Sequence, residues 1–219
     1  YNNAVNFYNN LYKDLSFTQF IEKFPPGFAW NKHKNDFIRD YIEPYLNKEE
    51  MKEYLVDMIF TQNYASENRK LMIKSVIDKL DFNDMYPFEN NYLETIHNYI
   101  DFNRMILRKG AISAEEGELC IISLNMRDGI LICQGKGNKD WNYSSAHGCG
   151  RIMSRDKTKF LRLDDFKKEM ENVYSTSVSK ETLDESPMAY RDVDLIKECL
   201  YDSVNIVSQL KPIINVKGT

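Results

Sequence analysis

Hydrophobic positions in the first ninety residues recur at the three-to-four spacing of a helix. Val5, Tyr8, Leu11, Tyr12 and Leu15 form one series, and Phe37, Ile38, Tyr41, Ile42 and Tyr45 another, with the breaker run Pro25, Pro26 and Gly27 between them. Asn47 followed by Glu50 has the form of an N-cap and its partner. It opens a longer helix whose apolar face runs Leu55, Met58, Ile59, Gln62, Ala65, Leu71, Met72 and Val76. From Thr95 to Lys109 the pattern changes to two short strands about an Asp101-Phe102-Asn103 turn, and Leu119 to Ile122 and Ile130 to Cys133 read as two more strands. A final helix is predicted over Val193 to Leu210 and a closing strand over Ile213 to Val216. The order predicts an α+β fold: a helical N-terminal piece, a mixed β segment and a helical C-terminal piece.

At 219 residues the chain has the length of one large domain or two small ones. Apolar residues at 42% and charged residues at 28% exclude a disordered, collagenous or coiled-coil chain. No apolar run approaches the roughly 18 residues of a membrane span, and no leader pattern opens the sequence, so a soluble cytoplasmic protein without a membrane partner is expected. The first residue is Tyr1 rather than Met, so the chain reads as a fragment or a processed product. Cys120, Cys133, Cys149 and Cys199 lack any Cys-x-x-Cys spacing, and reduced thiols are expected.

Charge changes this picture, because the net value of -4 is unevenly spread. Arg104 to Lys159 holds ten basic against six acidic residues, a local balance of +4, while the remainder carries -8. Seven of the nine glycines fall between Gly110 and Gly150. A basic, glycine-rich stretch inside an acidic chain is where a phosphate would be sought, although tight turns between solvated strands use the same residues.

Three histidines are present. His33, between Lys32 and Lys34, reads as a solvated surface residue. His97 lies on a predicted strand, where a lone histidine is more often a hydrogen-bonded face residue than a ligand. His147 differs, standing in Ala146-His147-Gly148-Cys149-Gly150-Arg151. The glycines let backbone amides approach an anion, Arg151 and Arg155 are suited to clamp phosphate oxygens, and the imidazole suits attack on a phosphoryl group.

Several motifs occur in one order: Arg108-Lys109-Gly110-Ala111, Glu116-Gly117-Glu118, Gly135-Lys136-Gly137-Asn138, the His147 run through Met153-Ser154-Arg155, Asp184-Glu185-Ser186-Pro187-Met188-Ala189-Tyr190-Arg191-Asp192, and the terminal Val216-Lys217-Gly218. With His97-Asn98-Tyr99 ahead of them, and Tyr64-Ala65 and Asn68-Arg69 on the preceding helix, the chain resembles the RtcB family of RNA ligases. The match is collinear from about Tyr54 to Thr219. Residues 51–219 are therefore read as the C-terminal portion of one RtcB-like catalytic domain and residues 1–50 as a divergent helical connection.

The resemblance implies a manganese-dependent enzyme that uses GTP to join an RNA 3'-phosphate or 2',3'-cyclic phosphate end to a 5'-hydroxyl end. His147 matches the histidine that takes GMP covalently. His97 matches a metal ligand, and Asn98 a position near the nucleotide phosphate. Gly148, Cys149 and Gly150 would floor the GMP phosphate, Tyr190 would stack on guanine and Lys217 would reach its edge. The loop Ser123-Leu124-Asn125-Met126 and Ile130 would contact the nucleotide, while Lys109, Arg151 and Arg155 would contact phosphate or RNA.

Four departures stand beside this. Leu124 replaces a family glycine and blocks close backbone approach unless the turn changes shape; Arg127 replaces a small residue and Cys149 an alanine. The family's Asp-x-x-Cys pair, its Gly-Asn-His-Phe loop and a further histidine have no counterpart here, so of the metal ligands only His97 is present, and an N-terminal half of the same protein is expected to supply the rest. A regulatory guanine-nucleotide-binding module without chemistry, or a phosphatase or nucleotidyl-transfer enzyme using His147 on another substrate, remain alternatives. The RNA that is joined, the oligomeric state and any need for a helper protein are left open.

Overall fold

A computed structural model of the chain describes residues 48–82 and 92–216. The predicted helices before Lys48, His33, the Asn47 cap and Lys217 lie outside the described residues. The chain divides into two compact units, residues 1–86 with 100–105 and residues 87–99 with 106–219.

In the first unit, α1 spans Lys48–Lys79 without a glycine or proline to break it. It stops in a Schellman turn: Asp81 takes a left-handed φ of 56°, its N–H donates to the Asp78 carbonyl, and the Phe82 N–H donates to that of Ile77. Val56 and Ile59 are buried, but Leu71, Met72 and Val76 are exposed, so the predicted apolar face is covered only near the helix N-terminal half. Helical spacing aligns apolar side chains on one side; it does not supply the neighbour that buries them. Gln62 fixes the backbone of Ile100, accepting from its N–H at 2.7 Å and donating to its carbonyl at 3.3 Å.

The expected hairpin is present as β1 (Asn98–Asp101) and β2 (Ile106–Lys109). Its turn is held by Asp101, whose carboxylate accepts from the N–H groups of Asn103 and Arg104. In the second unit, β3 (Ala111–Ser113) pairs antiparallel with β6 (Ser144–Ala146). A three-stranded antiparallel sheet takes the order β4 (Leu119–Ser123), β5 (Ile130–Gly135), β7 (Val204–Leu210). Short helices α2 (Arg155–Thr158), α3 (Leu163–Glu169) and α4 (Val193–Cys199) complete it. One buried cluster joins the sheet to α4 through Ile122, Leu124, Leu131, Cys149, Ile196 and Leu200; a second gathers Met126, Phe166, Met170, Val173 and Leu183.

The helix predicted over Val193 to Leu210 is a correction. The Asp192 carboxylate caps α4 by accepting from the N–H groups of Asp194 and Leu195, but the helix ends at Cys199 and the chain turns into β7. Val204, Ile206 and Val207 are β-branched, and the open edge of β5 offers them a ladder, so pairing overrides a continued helical spacing. The closing strand over Ile213 to Val216 is likewise reduced to one parallel bridge between Ile214 and Tyr174. The α+β class stands, with a C-terminal piece of helix followed by strand. Among the described residues no helix is long and apolar enough to cross a membrane.

Candidate active site

The glycine-rich segment folds around His147. β6 delivers His147 to the end of β4, where the Ser123 N–H donates to the His147 carbonyl at 3.2 Å and the Cys149 N–H donates to the Ser123 carbonyl at 3.0 Å. Between these bonds, a Cβ on Gly148 would stand 2.8 Å from the Ser123 carbonyl oxygen, so only glycine lets the two segments approach this closely.

The His147 ring is fixed from two sides. Its Nδ1 lies 2.7 Å from the carbonyl oxygen of Gly110, and the His97 ring stacks on it with centroids 4.9 Å apart and planes 12° from parallel. A carbonyl only accepts, so Nδ1 carries the hydrogen, and in the neutral imidazole Nε2 keeps its lone pair. Gly110 adopts a left-handed φ of 66° to present that carbonyl. Its own N–H donates to the His97 carbonyl at 2.8 Å and to Oδ1 of Asn98 at 3.0 Å. Partial burial and then the neighbouring His147 hold His97 below the ordinary histidine range, which keeps that ring neutral near pH 7.

Leu124 and Met126 are buried, one in each core cluster, and Asn125 between them closes the loop on itself. The Asn125 Oδ1 accepts from the N–H groups of Arg127 and Asp128, and its Nδ2 donates to the Asp128 carboxylate at 2.8 Å. Leu124 at the family's glycine position is therefore accommodated by packing it into the core. The Cys149 thiol donates to the Leu124 carbonyl at 3.0 Å, so two departures from the family pattern touch one another. Arg127 accounts for a third: it pairs with Asp128 at 2.7 Å and with Glu169 at the end of α3, tying the loop to that helix.

These elements enclose a cleft of about 830 Å³. His97 and His147 line it, as do Ser123, Leu124, Asn125, Met126 and Ile130 from the loop and β5. Gly148, Cys149, Gly150, Arg151, Arg155 and Tyr190 complete the set of predicted residues brought together there. Asn98 and Lys109 are not on its wall: Asn98 acts on Gly110, and Lys109 is exposed at the end of β2. Tyr190 donates its hydroxyl to Glu185 at 3.2 Å, and the Arg151 guanidinium lies over its ring at 5.2 Å. Burial, then the Glu185 carboxylate, raise the Tyr190 hydroxyl above its usual range, so it stays protonated and able to donate. Arg151 donates from Nε to the Met153 carbonyl at 3.2 Å, while its buried Nη2 has no partner. Arg155 is 3.5 Å from the Asp184 carboxylate.

Sequence reasoning missed the parts played by Gly110, Glu185 and Asn215. The first two sit inside quoted motifs without a role of their own; Asn215, also on the cleft wall, carried no signal. An anion fits the cleft, given the unpartnered buried nitrogen of Arg151. A manganese ion does not fit the residues described, because no three histidine, cysteine, aspartate or glutamate side chains converge among them.

The chain is similar to the RNA-splicing ligase RtcB of Escherichia coli K12, with 31% identity over 179 residues, covering 76% of this chain and 44% of that protein. It is also similar to the tRNA-splicing ligases RtcB of Aeropyrum pernix, 29% identical over 80% of this chain and 43% of the relative, and of Nanoarchaeum equitans, 25% identical over 85% and 47%. The chain thus spans about half the length of the curated relatives it matches. The profile of the family described as tRNA-splicing ligase RtcB matches residues 18–218, nearly the whole sequence. A histidine fixed in a glycine-framed cleft, in a chain matched over that span, belongs to the RtcB family.

Proposed function

We propose that this chain forms the nucleotide-accepting part of an RNA ligase that joins RNA 3'-phosphate or 2',3'-cyclic phosphate ends to 5'-hydroxyl ends through a GMP held on His147. The observation that carries the reading is the His147 ring, held at the cleft wall by the Gly110 carbonyl with the Nε2 lone pair left over. Nε2 attacks the α-phosphorus of GTP; an N–P bond forms and the P–O bond to pyrophosphate breaks. An oxygen of the RNA 3'-phosphate then takes the GMP from His147. The 5'-hydroxyl oxygen attacks the activated 3'-phosphorus, its proton leaves, and GMP departs. A 2',3'-cyclic end needs opening by water before it can accept GMP.

The unpartnered Nη2 of Arg151 supplies a donor for phosphate oxygens, and backbone N–H groups at Gly148 to Gly150 are close enough to assist. Tyr190 offers its ring to guanine, Lys217 its base-edge contact, and Lys109 and Arg155 contacts to RNA. Manganese would polarise phosphates in such chemistry, yet only His97 of its expected ligands is here, so no step above passes through the metal. We infer that its other ligands come from an N-terminal half of the same protein. The names of the relatives, RNA-splicing and tRNA-splicing ligases, support the substrate class.

The experiment is an end-specificity assay on the full gene product with GTP and manganese. Joining of 3'-phosphate to 5'-hydroxyl RNA, and none of 3'-hydroxyl to 5'-phosphate RNA, is expected. The reverse pattern, or joining that ATP supports equally, would remove this reading.

A further inference from the structure

Two buried side-chain atoms on the wall of the His147 cleft have no hydrogen-bonding partner: Nη2 of Arg151 and Oδ1 of Asn215. Buried polar groups in folded proteins are nearly always satisfied, so a pair of orphans on one cleft marks what its occupant must bring. Arg151 is a donor and asks for an acceptor, which a phosphate provides. Asn215 presents an acceptor and asks for a donor, which no phosphate provides.

Asn215 is held where it stands by its backbone. Its N–H donates to the Tyr174 carbonyl at 2.9 Å, the Tyr174 N–H donates to the Ile213 carbonyl at 2.9 Å, and Ile214 between them bridges Tyr174. The carboxamide is thus offered to the cleft by an anchored segment, and an arriving ligand has little backbone to order.

We propose that Asn215 is a specificity-determining residue that reads the base of the bound nucleotide, its Oδ1 accepting from the N1–H and 2-amino edge of guanine. Adenine has an unprotonated N1 on that edge, so two acceptors would face each other and the buried oxygen would stay unpaired. That penalty is the physical source of discrimination when a site is built around a polar group. The assignment rests on the cleft being the nucleotide site, and adds to it the residue that rejects adenine.

Competition binding of GTP and ATP against a fluorescent GTP analogue, on the 219-residue chain and without turnover, tests it. Asn215→Leu removes the acceptor at similar size, and Asn215→Asp keeps one. Asn215→Leu is expected to lose roughly three- to tenfold in GTP affinity with ATP affinity unchanged, while Asn215→Asp keeps the preference for GTP. Asn215→Leu is also expected to melt no lower than wild type, since the atom it removes had no partner. A wild-type GTP:ATP ratio in Asn215→Leu overturns the assignment and leaves the nucleotide site standing, with water alone satisfying the oxygen. Wild-type chain that binds neither nucleotide overturns the nucleotide reading and this inference with it.

Discussion

Gly110→Ala separates what orients His147 from what merely surrounds it. Gly110 sits at φ 66°, where a residue with a Cβ pays about 1–2 kcal/mol. The added Cβ would meet Cε1 and Nδ1 of His147 at 3.7 and 3.8 Å, ordinary contact distances, so the effect is conformational rather than a clash. Relaxing that strain rotates the carbonyl away from Nδ1 and gives up a 2.7 Å hydrogen bond worth roughly 0.5–1.5 kcal/mol. Either route predicts a stability loss of about 1–2 kcal/mol, and a relaxed loop also frees the ring to exchange its tautomer. Gly117→Ala is the control, with φ 77° and nothing within 4 Å of its would-be Cβ. Urea unfolding reads the first quantity and ¹⁵N chemical shifts of the His147 ring nitrogens the second. Wild type and Gly117→Ala should hold the hydrogen on Nδ1, and Gly110→Ala should show a mixture. A Gly110→Ala ring that keeps the Nδ1–H form at wild-type stability would refute the claim that this carbonyl sets the nucleophile.

Leu124→Ala should cost about 2–5 kcal/mol in urea unfolding, because Leu124 is 4% exposed within the first core cluster; a loss under 1 kcal/mol would place it outside that core. Thiol titration of the native chain should modify the exposed Cys199 first, since burial pushes Cys120 up to about 12 and Cys133 and Cys149 to about 11; equal rates at all four would contradict their burial. Burial opposes ionisation of Asp128, but hydrogen bonds from Arg127 and Asn125, with the charges of Arg127 and Lys211, outweigh it and hold the carboxyl below its ordinary range. Its contribution is therefore present above the unfolded value near 3.9 and lost as pH falls through the folded one, and Asp128→Asn should flatten the acid limb of stability between about pH 5 and 2; superimposable limbs would exclude Asp128 from that limb.

The sequence carried the local parts of this structure better than the distant ones. The β1–β2 turn and the β4 and β5 strands were legible because alternation and turn residues are local, as was α1 from its spacing. The segment after Cys199 was not, because Val204 to Leu210 satisfies a helical spacing and becomes a strand only through the open edge of β5. His147 stood out from its glycines, and its placement with His97, Tyr190 and Arg151 in one cleft follows the motif order. Nothing local marks Gly110 as the acceptor for His147, which lies 37 residues on, nor Leu124 as a core residue contacted by Cys149. Those relations exist only once β3 meets β6 and the Ser123 loop meets Gly148.

The most direct test of the central claim is to find where GMP is held. The full gene product, incubated with manganese and GTP labelled at the α-phosphate, should carry an acid-labile label that maps to the peptide containing His147 and is absent from His147→Ala. Label that persists in His147→Ala, or that maps to any other residue, would contradict it.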